Sequence, residues 1–472
     1  MKPLNCAAVD LGASSGRIIV GTWTRERLQL TEVHRFQNAV EALGKHDYWN
    51  LPGIWEQILV GLTKARKSFP HLASVGIDAW GVDHVLVNNA GRPIFPTHAY
   101  RDRRTNRLHR QHATRQAVAQ IYNATGIPNL AYNTSLQLAE TIETSPSIVC
   151  CVDRCLLLPD YFNYLLSGRM ETEVSIASTT QLLAAAKCEW SQPTLKHFGI
   201  PSRWFRAPVR SGHNLGSIRG HPMLRGVSVI GVPGHDTACA YDAMPRKPAS
   251  HDAFLSVGTW SLAGFESSKP LLDQAAMRAG VSNERTGRGG YRPLIATQGL
   301  WLLEQTLKEI RPGALTVREW SGLIRAAQQA PRPSYLLNVL DSSFSRPISM
   351  KAAIDAALKK LGAPTPASTA DYIRLICESL AHRHAKAILT LQELSGRRFD
   401  RVLMVGGGSK NPILCQATAT AADLPVWSYS LEGSATGNIA NQLISLGVFE
   451  NLAGFREAST RYLPYRIWAP RG

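Results

Sequence analysis

Asp10 closes a short apolar run and is followed by Leu11-Gly12-Ala13-Ser14-Ser15-Gly16-Arg17. Glycine and small polar residues let backbone N–H groups come close to phosphate oxygens. An aspartate at the strand end is placed to hold a hydrated magnesium ion, and Arg17 can reach a phosphate as a charged donor. The same pattern also fits an ordinary hairpin turn with a solvated arginine. A second loop, Gly258-Thr259, follows another apolar run in the same way, and it too fits a plain turn. The pairing of the two loops favours a polyphosphate gripped from two sides.

Two further stretches complete the chemistry. In Gly234-His235-Asp236-Thr237, an aspartate beside a glycine turn after a strand can accept a hydroxyl proton, although it could equally cap a helix. Gly406-Gly407-Gly408, with Asn411 just beyond, follows an apolar strand and would let a flat purine or ribose lie against the backbone. A phosphate cradle, a magnesium ligand, a base and a nucleoside seat are what phosphoryl transfer from ATP requires.

The elements that must position these residues alternate between strand and helix. Apolar runs at 5–11, 18–23 and 28–36 read as a meander, and helical spacing covers 51–69. Strands are expected at 74–78 and 84–88, helices at 155–167 and 174–186, and a strand at 227–232. The polar, proline-bearing stretch 244–250 marks a boundary, giving domains 1–247 and 248–472. Beyond it the opening pattern returns, with strands at 253–257 and 262–265. Helices at 299–310 and 370–395, a strand at 401–405, a helix at 411–422, a strand at 425–428 and a helix at 434–447 follow. An internal duplication of an α/β domain around a cleft is the expected architecture.

Composition narrows the function classes. Hydrophobic residues make up 44% and charged residues 18%, as in a globular protein. The 52 Lys and Arg against 35 Asp and Glu leave a net charge of +17. That balance favours anionic partners, but the arginine run from Arg101 to Arg110 lacks interleaved aromatics, so no nucleic-acid partner is expected. The eight cysteines are scattered and read as free thiols in a reducing cytoplasm. Asp10 and Arg17 interrupt what could pass for a signal peptide, and no apolar run is long enough to span a bilayer, so no membrane partner is expected.

Taken in order, these stretches resemble the FGGY carbohydrate kinases over nearly the whole chain. The resemblance rests on AVDLGASSGR at 8–17, GIDAWGVD at 76–83, AYRDRRTN at 99–106 and LLLPDYFNYLLSG at 156–168. It continues with HDTA at 235–238, SVGTWSL at 256–262, GLWLL at 299–303, VGGGSKN at 405–411 and ATGNI at 435–439. It implies two ribonuclease-H-like, actin-like ATPase domains, with ATP and magnesium as cofactors and a small ketose as substrate. GIDAWGVD and HDTA point to the branch that phosphorylates L-rhamnulose at its 1-hydroxyl. L-fuculose or D-xylulose are the alternatives, and a non-catalytic sugar-binding regulator is the reading from another class.

By motif, the resemblance assigns Ala13, Ser14, Ser15, Gly16, Arg17, Thr259, Gly407 and Asn411 to ATP, and Asp10 to the metal. Gly81, His235, Asp236 and Thr237 go to the sugar, with Asp236 as proton acceptor. Gly81 would leave room for the sugar and Trp80 would wall its methyl group. Two positions depart from the family pattern. Ala296 stands where an asparagine touches the sugar, and Glu304 stands where a glutamine lies by the nucleotide.

Overall fold

The computed structural model describes residues 3–246, 250–345 and 347–471. The expected boundary between 247 and 248 lies outside the described residues. The chain divides into two compact units. One contains 1–248, 266–293 and 432–462, and the other 249–265, 294–431 and 463–472.

In the first unit, Cys6, Ala7, Ala8, Val9 and Leu11 are buried on both faces of the strand Leu4–Leu11. A continuous apolar run of this kind suits a central strand covered on both sides. It pairs antiparallel with Ser15–Trp23 and parallel with Leu72–Ala79. The sheet runs Leu28–Gln37, Ser15–Trp23, Leu4–Leu11, Leu72–Ala79, Ser228–Gly231, His213–Ser217. On one face, Ala7, Val9, Val75 and Ile77 pack with Ile54, Ile58 and Leu62 of the helix Leu51–Ser68. That helix starts where Asn50 accepts a hydrogen bond from the Gly53 N–H and Pro52 fills the first turn. On the other face, Cys6, Ala8 and Ile19 meet Ala435, Ile439 and Leu443 of the helix Gly433–Ser445. A Cβ on Gly437 would lie 1.8 Å from the Cys239 carbonyl oxygen, so only glycine lets this helix close on Asp236–Asp242.

The second unit repeats the scheme. Asp252–Val257 pairs antiparallel with Trp260–Gly264 and parallel with Arg401–Val405, which pairs parallel with Val426–Tyr429. Trp260–Gly264 also pairs antiparallel with Tyr291–Gln298, a strand that crosses from the first unit into the second. In both sheets the order is third hairpin strand, second, first, then two parallel strands. The duplication read from the sequence is therefore a duplication of strand order.

Two expected helices differ. The one at 155–167 begins only at Leu158, because Arg154–Leu157 is a strand on His84–Val87. The one at 174–186 shrinks to Val174–Ala177 and a 3₁₀ turn, Ser178–Thr180. There the hydroxyls of Ser178, Thr179 and Thr180 each donate to the carbonyl three residues back. Such local bonds compete with the helix ladder, and Gln181, at φ 64°, ends it.

Candidate functional site

Three charged residues from neighbouring strands fall in one row at the end of the first unit's sheet. Asp10 is in register with Arg17 on one side and Asp78 on the other, so their side chains leave the same face. Arg17 Nη2 donates to Asp10 Oδ2 at 2.5 Å, and its Nη1 donates to Glu432 Oε2 at 2.8 Å. Ser434 Oγ also donates to Asp10 Oδ2, at 2.8 Å. Burial lowers the Arg17 pKa, but the carboxylates of Asp10 and Glu432 outweigh it and hold the guanidinium charged. Arg17, expected to face phosphate, is thus engaged by two carboxylates.

Asp78 is fully buried. Asn438 Nδ2 donates to its Oδ2 at 2.6 Å, while Oδ1 has no hydrogen-bond partner. Burial, reinforced by the charge of Asp10, pushes its pKa well above the usual carboxylate range.

Asp236 opens the helix Asp236–Asp242, where His235 holds the N-cap position. Asp236 Oδ1 accepts from the Thr237 N–H at 2.5 Å and from Thr237 Oγ1 at 3.0 Å. No hydrogen bond from a described residue reaches Oδ2. The side chain remains 28% exposed. Desolvation raises its pKa and the charge of Asp10 adds to this, while His235 opposes. The loop that presents it is held by the buried Glu173, which accepts from Gly234 N–H at 2.8 Å, Ser175 Oγ at 2.5 Å and Ser211 Oγ at 2.6 Å. The Ala79 N–H donates to the Gly234 carbonyl at 2.8 Å, tying the loop to the Asp78 strand.

The stretch around Gly81 departs from expectation. Trp80 is buried, at 5% exposure, and packs against Trp49 with ring planes tilted by 43° and centroids 4.4 Å apart. Both indole N–H groups donate to Asp83 Oδ2, at 2.8 and 2.6 Å, so Trp80 is a core residue rather than a wall for a methyl group. Burial still pushes the Asp83 pKa up to about 6. A Cβ on Gly81 would meet Thr179 at 3.1 Å, so protein fills that direction. Val82 follows at φ 71°, a conformation a β-branched residue rarely adopts. Its N–H donates to Thr179 Oγ1 at 3.1 Å and its carbonyl accepts from Thr134 Oγ1 at 2.6 Å. Thr179→Val keeps the shape and strands the buried Val82 N–H. It is expected to lower unfolding stability by about 1–3 kcal/mol, read as a shift in denaturant midpoint. An unchanged midpoint means that Thr179 does not hold this backbone.

In the first loop, Gly12 N–H donates to the Ser15 carbonyl at 2.9 Å and Ser14 is exposed at the tip. Gly16 is required by packing, since a Cβ there would lie 2.2 Å from Phe36. Ala13 packs on the core.

In the second unit, Thr259 is exposed in the tight turn before Trp260–Gly264. Gly406 and Gly408 are pressed on Val257, where a Cβ would come within 2.6 and 2.4 Å. Gly407 is exposed, and a Cβ there meets only Leu300 at 3.3 Å and the Val257 carbonyl at 3.9 Å. Of the three it is the glycine open to a ligand. Glu304 is exposed in the first turn of Trp301–Ile310, and Ala296 is exposed opposite Leu262. Asn411 differs from its expected place on the nucleotide. It is 3% exposed and caps Pro412–Ala422, with Oδ1 accepting from the Ile413 and Leu414 N–H groups and Nδ2 on Cys377.

Among the described residues no group of three or more His, Cys, Asp or Glu side chains is arranged to hold a metal. Magnesium is commonly held by one or two carboxylates together with phosphates and water. Asp10 and the unpartnered Oδ1 of Asp78 supply oxygen donors of that kind, so the residues fit.

Residues 6–241 match the N-terminal domain of the FGGY family of carbohydrate kinases, and residues 253–446 match its C-terminal domain. The chain belongs to this family. A rhamnulokinase of Klebsiella pneumoniae (strain 342) is 37% identical over 462 residues, covering 97% of this chain and 93% of that protein. Among solved structures, a gluconate kinase from Lactobacillus acidophilus is 12% identical with a TM-score of 0.82, covering 100% of this chain and 94% of its own. Plasmodium falciparum glycerol kinase with ADP is 14% identical at a TM-score of 0.79, covering 99% and 94%. These two show the same two-domain α/β fold. As in other carbohydrate kinases the substrate is a sugar, and no helix among the described residues is long and apolar enough to cross a membrane.

Glu173, Glu284 and Arg292, which contact the loop carrying Asp236, and Asp78, beside Asp10, are not among the residues the sequence points to. Asp78 lies inside GIDAWGVD and ends a strand parallel to that of Asp10, a signal that could have found it. The other three come from stretches with no local motif.

Proposed function

We propose that this carbohydrate kinase transfers the γ-phosphoryl group of ATP to the 1-hydroxyl of L-rhamnulose in the cytoplasm, with magnesium. The observation that carries the reading is the Asp236 carboxylate, half-open beside His235 and with a raised affinity for a proton. The sugar O1 attacks the γ-phosphorus, its proton passes to Asp236, and the bond to the β-phosphate oxygen breaks as ADP leaves. Magnesium, when bound, neutralises charge on the phosphate oxygens, and Asp10 would hold it with Asp78 nearby. Backbone N–H groups of Ala13 to Gly16 and the Arg17 guanidinium serve the phosphates. Thr259, Glu304 and Gly407 serve the nucleotide, and Gly81, His235, Thr237 and Ala296 the sugar. In this reading 1–247 carries the sugar site and first phosphate loop, and 248–472 the nucleotide site.

The choice of L-rhamnulose is supported by the 37% identity to a rhamnulokinase and by the GIDAWGVD and HDTA stretches. Ala296 loosens it, because a site that hydrogen-bonds a hydroxyl rejects analogues lacking it far more strongly than one that does not. Ala296→Asn is therefore expected to sharpen the kcat/KM ratio of L-rhamnulose over L-fuculose and L-xylulose by about tenfold, the worth of one restored hydrogen bond. An ADP-release assay over these ketoses, in both forms, measures it. Equal ratios in the two forms place Ala296 away from the sugar.

A further inference from the structure

Arg17 is held by two carboxylates, and the two grips differ. Asp10 lies opposite Arg17 in strand register. Its side chain is 6% exposed, and its Oδ2 accepts from Arg17 Nη2 at 2.5 Å and from Ser434 Oγ at 2.8 Å. That arm of the guanidinium is fixed by the sheet. Glu432 holds the N-cap position of the helix Gly433–Ser445, yet its side chain makes no capping hydrogen bond there. Its Oε2 instead accepts from Arg17 Nη1 at 2.8 Å, with the side chain 47% exposed. Both residues belong to the first unit.

The chemistry of the guanidinium turns this pairing into a contest. Its N–H groups only donate, and carboxylate and phosphate oxygens are acceptors of the same kind for it. A carboxylate on Nη1 therefore takes a donor that a phosphate would use. It also sets a negative charge where a negative ligand has to come, and like charges side by side repel. Opening the Glu432 arm costs little, because solvent screens a half-exposed ion pair and takes up both ends. Drawing Arg17 away from Asp10 would instead leave a buried carboxylate without its cation, which is costly. Of the two arms, Nη1 is the one that can change partner.

We propose that Glu432 competes with the phosphates of ATP for Arg17 and so sets the affinity of this kinase for its nucleotide. This rests on the proposed role of Arg17 toward the phosphates. Asp10 keeps the guanidinium in place throughout, while Nη1 exchanges the Glu432 carboxylate for a phosphate oxygen. Every polyphosphate that reaches Arg17 meets the cost of that exchange. A ligand without phosphates does not, and gains nothing when the carboxylate is removed.

The test is equilibrium titration of the full chain with ATP, inorganic triphosphate and adenosine, without magnesium or ketose. Glu432→Gln keeps the length of the side chain and an oxygen for Nη1 and removes the charge. ATP and triphosphate are expected to bind about 3- to 10-fold more tightly to it, and adenosine within about twofold of the parent. Glu432→Ala, which frees Nη1 outright, should give a gain in the same direction. In an Arg17→Gln background the Glu432→Gln gain should largely vanish. Unaltered or weaker ATP binding in both Glu432 variants overturns the proposal. So does a gain as large for adenosine as for ATP. A full gain without Arg17 also overturns it, because the carboxylate then repels nucleotide without competing for the guanidinium. If Arg17→Gln alone leaves ATP binding unchanged, the role of Arg17 itself fails, and that is read from the single variant, apart from Glu432.

Discussion

Asp236→Asn lowers turnover by about 10²–10⁴-fold, the range for loss of a general base, and leaves ATP binding nearly unchanged. Asparagine keeps the size of the side chain, and its amide oxygen can still accept from Thr237 N–H and Oγ1, the bonds that hold Oδ1. What disappears is the group on the unbonded side that can take a proton. The variant should therefore fold as stably as the parent or more so, because desolvation and the charge of Asp10 both disfavour the ionised Asp236. The measurement is single-turnover phosphorylation together with nucleotide titration. Near-normal turnover leaves Asp236 as a first-turn residue of its helix and no more.

Asp10→Ala is expected to cut turnover by at least about 10²-fold, as when a charge-stabilising group in a phosphoryl-transfer site is removed. Raising magnesium should recover part of the loss if the missing group is a metal-site carboxylate. The alanine also strips Arg17 and Ser434 of their shared acceptor, so lost structure could imitate lost metal binding. Asp10→Asn separates the two. It keeps an oxygen for Arg17 and Ser434 and removes the charge. A stable Asp10→Asn protein with low turnover and a higher magnesium requirement supports the assignment. Full activity of that variant at low magnesium makes Asp10 only the structural partner of Arg17.

Much of this arrangement was legible in the residues. The apolar run at 5–11 reads as the first strand of a meander, and its return at 253–257 as a second copy; that each is central in its sheet shows only in the structure. The glycines at 406–408 stand out in the sequence as a possible nucleoside seat, but two of them serve contact with Val257 and only Gly407 stays open. Short-range patterns failed where polar side chains bond their own backbone, as in 178–180, and where a turn residue has a structural partner, as with Asn411 and Trp80. Glu173, Glu284 and Arg292 were invisible for a different reason. Each acts by meeting residues 49 to 61 positions away, and nothing in the local sequence records such a meeting. The shared face of Asp10 and Asp78 is an intermediate case, since it depends on strand register, which the sequence does not give.

If the proposed function holds, this chain phosphorylates a ketose hydroxyl from ATP and prefers L-rhamnulose. Incubating the purified chain with ATP, magnesium and each of a panel of ketoses, and following ADP release alongside the ³¹P spectrum of the product, tests it most directly. Stoichiometric ADP and sugar 1-phosphate are expected with L-rhamnulose, at a higher kcat/KM than with L-fuculose, D-xylulose or L-xylulose. Phosphorylation of another ketose without any of L-rhamnulose contradicts the substrate assignment, and ADP release that no ketose stimulates contradicts the proposed reaction itself.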